Sequence, residues 1–311
     1  MIFHSINEIK DCLKARDNAR VVIALGVFDG VHLGHQAILG RLVKLAEESC
    51  ALPVALFFTP HPKELLFPPG PRHLTTDSYK CRLLQHYGAE YVLALPFTRE
   101  LAAMSPEHFL NMHFQGDGLA TSGFCVGDNW RFGRGNSAGA DFLVQWAEAK
   151  DIRASIVPAV QYGGEAVSST RLRALVENGE LALAEAMLGR KFAVVGTVVR
   201  GNGIGRKLDC ATANIVDPRH VLPPCGVYSA EARWEGQRMA RGIVYVGTAP
   251  TIRRNAPEPW VELHLFDCSE NLYGKEMTVQ FLKFIREDRK FSSQEELALQ
   301  IQKDIECARN S

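Results

Sequence analysis

Val21-Val22-Ile23-Ala24-Leu25-Gly26-Val27-Phe28-Asp29-Gly30-Val31-His32-Leu33-Gly34-His35-Gln36-Ala37-Ile38-Leu39-Gly40 is the stretch that decides the fold. From Arg20 to Gly26 it is a continuous aliphatic run, as expected of a strand buried on both faces. A tight turn containing Gly and Asp follows, and from Gly34 onward Ile38, Leu39, Leu42, Val43, Leu45 and Ala46 recur at helical spacing. The stretch reads as strand, loop and helix, with His32 and His35 where the helix begins. A helix start exposes unpaired backbone N–H groups and the positive end of the dipole, so it attracts phosphate. Two imidazoles there add donors for a phosphoryl group. The bland alternative is that one or both histidines only cap the helix; the strand–loop–helix setting favours nucleotide chemistry.

Working outward, Pro53–Thr59, Glu90–Pro96, Gly118–Gly127 and Ile152–Pro158 read as further strands. Between them lie helical runs at Asp77–Tyr87, from Ser105-Pro106 to about Phe114, and over about Ala140–Lys150. Alternating strands and helices imply a parallel sheet with crossover helices, and ligands bind such sheets beyond the strand C-termini. Ser168-Ser169-Thr170 caps a helix running to Asn178-Gly179, and Glu180–Leu188 forms another, ending at Gly189. Then the texture changes. Phe192–Arg200, Gly226–Trp234, Arg241–Val246, Trp260–Phe266 and Lys275–Phe284 follow one another as strands punctuated by Gly and Pro, as in an antiparallel barrel. Ser292–Arg309 returns to helix, with Leu297, Ile301, Ile305 and Ala308 on one face. The domain boundary falls near residues 186–190.

Composition bounds the function. The chain has 311 residues, enough for two domains, and its formal net charge of zero argues against a bulk electrostatic nucleic-acid binder. Its 8 cysteines are scattered without a C-x-x-C pair, which suggests neither a zinc site nor a disulfide framework. MIFHSINEIK carries no apolar signal core, and no apolar run is long enough to span a bilayer. A cytoplasmic protein with reduced thiols is expected, without a membrane or nucleic-acid partner.

Five further stretches carry chemistry. Val126-Gly127-Asp128-Asn129-Trp130-Arg131-Phe132-Gly133 is a glycine-rich aromatic loop that suits a flat ring held by the Asn129 amide, or else a surface loop with Trp130 in the core. Ser168-Ser169-Thr170-Arg171-Leu172-Arg173 gathers hydroxyls, helix N–H groups and arginine as a triphosphate site would, or is a simple N-cap. Gly201-Asn202-Gly203-Ile204-Gly205-Arg206 is a glycine-rich loop or a hairpin turn; nearby, in Ala211-Thr212-Ala213-Asn214, the Thr hydroxyl suits Mg²⁺. Glu262 and His264 share one face of an alternating strand, where a carboxylate can act as a general base unless both simply face solvent.

Assembled, these residues resemble the bacterial bifunctional riboflavin kinase/FMN adenylyltransferases, the prokaryotic FAD synthetases. The resemblance spans nearly the whole chain: GVFDGVHLGH, TPHP at Thr59–Pro62, VGDNWRFG, SSTRLR, LGR at Leu188–Arg190, the Gly201–Asn214 segment, PPCGVY at Pro223–Tyr228, Pro250-Thr251, VELHLFD, LYG at Leu272–Gly274 and KFSSQEEL. It implies an α/β Rossmann-like nucleotidyltransferase domain at residues 1–186. After it, at residues 187–311, come an antiparallel six-stranded riboflavin-kinase barrel and a C-terminal helix. It implies two activities: riboflavin plus ATP giving FMN, and FMN plus ATP giving FAD and pyrophosphate, both with Mg²⁺. By position, His32 and His35 match the adenylyltransferase histidines within the ATP loop of Gly26, Phe28, Asp29 and Gly30. Asn129 matches the flavin/nucleotide loop, and Ser168, Ser169, Thr170 and Arg173 the second phosphate motif; Arg171 falls at a variable position. In the barrel, Gly201, Gly205 and Arg206 fall in the glycine-rich segment, Thr212 and Asn214 match the residues serving Mg²⁺–ATP, and Glu262 matches the base for the ribityl 5′-hydroxyl.

Two segments depart from the family pattern. Leu208-Asp209-Cys210-Ala211 stands where the family has Leu-Gly-Phe/Tyr-Pro, and Tyr245-Val246-Gly247 where it favours Asn-Ile-Gly. A carboxylate at Asp209 facing ATP phosphates costs affinity. This keeps two alternatives in view: a monofunctional FMN adenylyltransferase whose barrel binds flavin but is kinase-impaired, and a different transferase of the same histidine-loop superfamily. The expected partners are riboflavin, FMN and ATP; the resemblance leaves a homo-oligomer open.

Overall fold

A computed structural model describes residues 1–17, 19–199, 213–216, 219–236, 238–248, 259–268 and 270–310. The chain divides into two units, Met1–Pro71 with Asp77–Ser169, and Arg72–Thr76 with Thr170–Ser311.

The first unit is built on Val21–Leu25, whose five residues are all buried. Val21, Ile23 and Leu25 enter one core cluster and Val22 and Ala24 another, so the strand is covered on both faces. It lies within a six-stranded sheet ordered Ile2–Phe3, Tyr91–Pro96, Leu52–Thr59, Val21–Leu25, Thr121–Gly127, Arg153–Val157, with every pairing parallel. Ala24 pairs with Ala55 on one side and Cys125 on the other. From Val21–Leu25 the chain winds outward first through Leu52–Thr59 and later through Thr121–Gly127. The strand order reverses between Val21–Leu25 and Thr121–Gly127, and a crevice opens beyond the C-terminal ends of strands at such a switch point. The loops after Gly26 and after Gly127 leave from that edge.

Helix Leu33–Glu48 covers one face through Ile38, Leu39, Leu42, Leu45 and Ala46. Helix Pro106–Phe114 starts as the sequence predicts, with Pro106 first and the Ser105 hydroxyl accepting from the His108 N–H. That cap contributes about 1 kcal/mol. Helices Asp77–His86 and Ala140–Glu148 also lie where expected. The glycine-rich aromatic loop expected over Val126–Gly133 enters a short hairpin that pairs Arg131–Phe132 with Ala138–Gly139. The N-terminal strand Ile2–Phe3 and helix Ile6–Lys14 go beyond the sequence reading. The helix's signal was Ser5 with Glu8 three residues on: the Ser5 hydroxyl accepts from the Glu8 N–H, and the Glu8 carboxylate accepts from the His4 N–H.

The second unit is a closed antiparallel barrel ordered Ala193–Val199, Ala213–Val216, Pro259–Leu265, Arg238–Thr248, Gly226–Trp234, Glu276–Glu287 and back to the first. Ala213–Val216 is the strand that periodicity did not show; four residues are too few for an alternation to register. Helix Gln294–Arg309 is capped by Ser293 and packs Ile301, Ile305 and Ala308 against Val227, Ile243 and Phe266. Asp304, 2% exposed, receives three guanidinium contacts from Arg286 at 2.8–3.0 Å and a fourth contact from Gln300 at 2.8 Å. Segment Arg72–Thr76 belongs to this unit: the His73 N–H bonds to the Arg219 carbonyl and the His73 carbonyl accepts from Val221. Helices Ser169–Glu177 and Leu181–Leu188 precede the barrel, the latter ending at Gly189 in left-handed backbone.

Candidate active site

Gly26 closes the central strand with its N–H on the Leu56 carbonyl at 3.2 Å. The chain then takes left-handed backbone at Phe28 (φ 54°), Gly30 (φ 83°) and Val31 (φ 39°). Glycine adopts this freely, but an aromatic and a β-branched residue do so at a cost of about 1–3 kcal/mol each. Full burial of Phe28 and Val31 helps to offset it. The Phe28 ring folds back over Gly26, where a Cβ would meet it at 3.0 Å, and the Val31 N–H closes the turn on the Phe28 carbonyl at 3.2 Å. His32 occupies the helix cap position but makes no side-chain cap bond. The bland alternative of a capping His32 side chain is therefore not the arrangement found. Instead the His32 and His35 rings stack at 3.7 Å and 19°, with Phe28 edge-on to His35 at 5.2 Å. Two imidazoles and a helix N-terminus thus meet at the switch-point edge, a donor set that suits an anionic phosphoryl group.

Ser169 also meets this loop. The Ser169 hydroxyl donates to the Asp29 carbonyl at 2.9 Å, 140 residues away in sequence. The Val167 carbonyl lies 3.8 Å from where a Cβ at Gly34 would sit. The half-buried Ser168 precedes it directly. Asn129 is exposed after its strand; its Oδ1 and the Cδ1 of Ile38 each lie 3.4 Å from a Cβ position at Gly127. Trp130 is half-buried, stacked on Phe132 at 4.3 Å and packed on the core, so its ring serves the loop's own structure. Thr170 is exposed, and the Arg173 Nε donates to the Arg72 carbonyl at 2.6 Å within the second unit.

Sequence reasoning missed one cluster at the same sheet edge. Lys80 is almost fully buried, 3.0 Å from the Asp77 carboxylate and 4.3 Å over the Phe57 ring, and Asp77 also accepts from the Thr59 hydroxyl. Its signal was a lysine among the buried positions Cys81, Leu83 and Leu84 of an otherwise ordinary helix.

In the barrel, one cross-strand row holds the candidates. Asn214 faces Glu262, and Glu262 faces Tyr245 on the next strand. Val261, Leu263 and Leu265 are buried, while Glu262 and His264 are half-buried on the opposite face rather than open to solvent. Asn214 is buried, and its Oδ1 has no hydrogen-bond partner among the described residues. The Tyr245 ring lies across Gly247, in space that a Cβ there would take. Burial, then the Asp288 carboxylate beside it, hold the Tyr245 phenol above the usual tyrosine range. Gly201, Gly205, Arg206 and Thr212, like Asp209, lie outside the described residues.

Comparison with known proteins gives concordant matches. Residues 14–171 match the family model described as FAD synthetase, and residues 188–311 that described as riboflavin kinase. The chain is 35% identical over 295 residues to the bifunctional riboflavin kinase/FMN adenylyltransferase of Escherichia coli (strain K12), covering 93% of this chain and 91% of that relative. Against the protein of the same name from Bacillus subtilis (strain 168), identity is 30% over 292 residues, with the same coverage of 93% and 91%. Among solved structures, a Streptococcus pneumoniae protein described as a macrolide-efflux protein superposes with a TM-score of 0.80 at 29% identity, covering 94% of this chain and 95% of that one. Among the described residues of this chain, no helix is long and apolar enough to cross a membrane.

Proposed function

The chain belongs to the bifunctional riboflavin kinase/FMN adenylyltransferase family, and from that premise we propose how its residues divide the work. It is an enzyme of flavin-cofactor synthesis that phosphorylates riboflavin with ATP to FMN and adenylylates FMN with ATP to FAD, releasing pyrophosphate. A flavin-binding barrel without catalysis is not favoured, because residues 188–311 match the kinase model through to the end of the chain.

We assign adenylylation to residues 1–186 and phosphorylation to residues 187–311. The observation that carries the first assignment is the stacked His32/His35 pair at the N-terminus of helix Leu33–Glu48 on the switch-point edge. An FMN phosphate oxygen attacks the α-phosphorus of ATP; the bond to the β-phosphate oxygen breaks and pyrophosphate leaves. His32, His35 and the N–H groups of the first helical turn stabilise charge on the attacked phosphoryl oxygens. Gly26 and Gly30, with Phe28 and Asp29, shape the loop around the phosphates. Asn129 holds the flavin or nucleotide from the neighbouring strand end, and Ser168, Ser169, Thr170 and Arg173 supply the second phosphate-binding stretch.

In the barrel, Glu262 accepts the proton of the ribityl 5′-hydroxyl as that oxygen attacks the γ-phosphorus and ADP leaves. Among the described residues no three His, Cys, Asp or Glu side chains cluster as a metal cage. Mg²⁺ fits such a site, since it is ordinarily held by one or two protein oxygens plus substrate phosphates and water. Thr212 would hold it, with the buried Oδ1 of Asn214, which has no hydrogen-bond partner among the described residues, as a further oxygen donor and Gly201, Gly205 and Arg206 on the nucleotide. Bound there, Mg²⁺ would neutralise phosphate charge. Cysteines scattered without a C-x-x-C pair fit a reducing cytoplasm.

The test is to incubate the purified protein with ATP and Mg²⁺ and either riboflavin or FMN, then resolve flavins by chromatography. FAD is expected from both. No FAD from FMN refutes the first assignment, and no FMN or FAD from riboflavin refutes the second.

A further inference from the structure

The histidine loop is strained twice, at Phe28 and Val31, and immediately before the helix it must present. Val31 is the more costly case, a β-branched side chain at φ 39°. Its carbonyl is not left to the helix ladder. The side-chain amide of Gln36 reaches back from the first turn and donates to it at 2.9 Å. The Gln36 N–H meanwhile bonds to the His32 carbonyl at 2.9 Å, so one residue ties both sides of the His32 position.

We propose that Gln36 is a positioning residue for adenylyl transfer: its amide latches the strained Val31 carbonyl and holds His32, His35 and the helix start in one fixed arrangement. This rests on the assignment of adenylylation to the histidine loop. Gln36 touches neither substrate; it acts through the backbone. A group held in place before reaction contributes to the chemical step more than to ground-state binding. Loosening it therefore lowers kcat and leaves KM nearly unchanged.

Gln36→Met keeps length and helix propensity and removes the donor. The expected result is about a tenfold lower kcat for FMN adenylylation, with KM for ATP and FMN changed by less than about twofold. Riboflavin phosphorylation by the same polypeptide stays at the parent rate and reports that the protein is folded. The second arm is Val31→Gly, since glycine occupies positive φ without strain. In that background Gln36→Met is expected to cost less than about threefold. Three outcomes overturn the proposal: unchanged kcat in Gln36→Met, an equal loss in both backgrounds, or parallel loss of both activities. His32→Ala separates this from failure of the underlying assignment. If His32→Ala makes FAD at the parent rate, the assignment itself falls; if it is inactive while Gln36→Met is fully active, only the latch falls.

Discussion

Replacing Asp304 by Asn tests what holds the C-terminal helix on the barrel. The Asp304 carboxylate is 2% exposed and receives two contacts from the Arg286 Nε, at 3.0 and 2.9 Å, one from its Nη2 at 2.8 Å, and one from Gln300 at 2.8 Å. Removing one partner of a buried pair costs about 3–5 kcal/mol, because the other charge is left uncompensated. Arg286 softens this loss: its side chain is 19% exposed, it keeps a bond to the Glu287 carbonyl at 3.0 Å, and it lies 5.6 Å over the Phe291 ring. We expect about 2–3 kcal/mol. At roughly 4 °C per kcal/mol for a domain of this size, the barrel transition falls by about 8–12 °C. The assay is thermal inactivation of the two activities measured separately, alongside a calorimetric scan. Riboflavin phosphorylation is expected to fail at the lower temperature, with FMN adenylylation retained. Equal inactivation temperatures, within about 2 °C of the parent, would refute the reasoning. The double variant Arg286→Met/Asp304→Leu is expected to recover most of the loss, since an apolar pair of similar size needs no charge compensation.

The remaining predictions concern the site and one buried titratable group. His32→Ala is expected to lower FMN adenylylation by about 10²–10³-fold and leave riboflavin phosphorylation intact, and Glu262→Gln to do the reverse in initial-rate assays. Gly34→Ala places a Cβ 3.1 Å from the His32 ring and is expected to displace it, reducing FAD formation by about tenfold in the same assay. His113 is buried, its Nε2 has no partner among the described residues, and burial, then the neighbouring His108, hold its pKa below the ordinary value of 6.5. The unfolded chain therefore takes up the His113 proton first, so stability is full above about pH 6.5 and declines as pH falls below it. Melting temperature against pH is expected to drop less steeply below that value in His113→Leu, and equal slopes would contradict the assignment.

Much of this was legible because it is local. The five aliphatic residues Val21–Leu25 need burial on both faces, and the apolar spacing of Ile38, Leu39, Leu42 and Leu45 admits only a helix with one covered face. Ser105-Pro106 marked a helix start by its hydroxyl and its missing N–H. The histidines were legible as a pair because three residues apart is one helical turn. What failed to show was short or dual in use. Ala213–Val216 is too brief for an alternation, although it carries Asn214. The aromatic loop left open whether Trp130 enters the core, and its stacking on Phe132 became visible only with the hairpin formed. Lys80 carried a charge on an apolar face with no local hint that Asp77 and Phe57 would receive it.

The sequence by itself determined most of the elements and their order and singled out His32 and His35 as candidates for handling phosphate, because propensity, periodicity and turn chemistry act over a few residues. Only the tertiary structure decided where those residues meet. The reversal of strand order beside Val21–Leu25 places the histidine loop and the Asn129 loop on one crevice. The bond from Ser169 to Asp29 spans 140 positions, and the row Asn214, Glu262, Tyr245 exists only in the barrel's register. Even the Gln36 latch, five residues long, needs Val31 to be driven into left-handed backbone by the burial of its loop. Such contacts follow from closing long loops and choosing one register, and no local propensity encodes that choice.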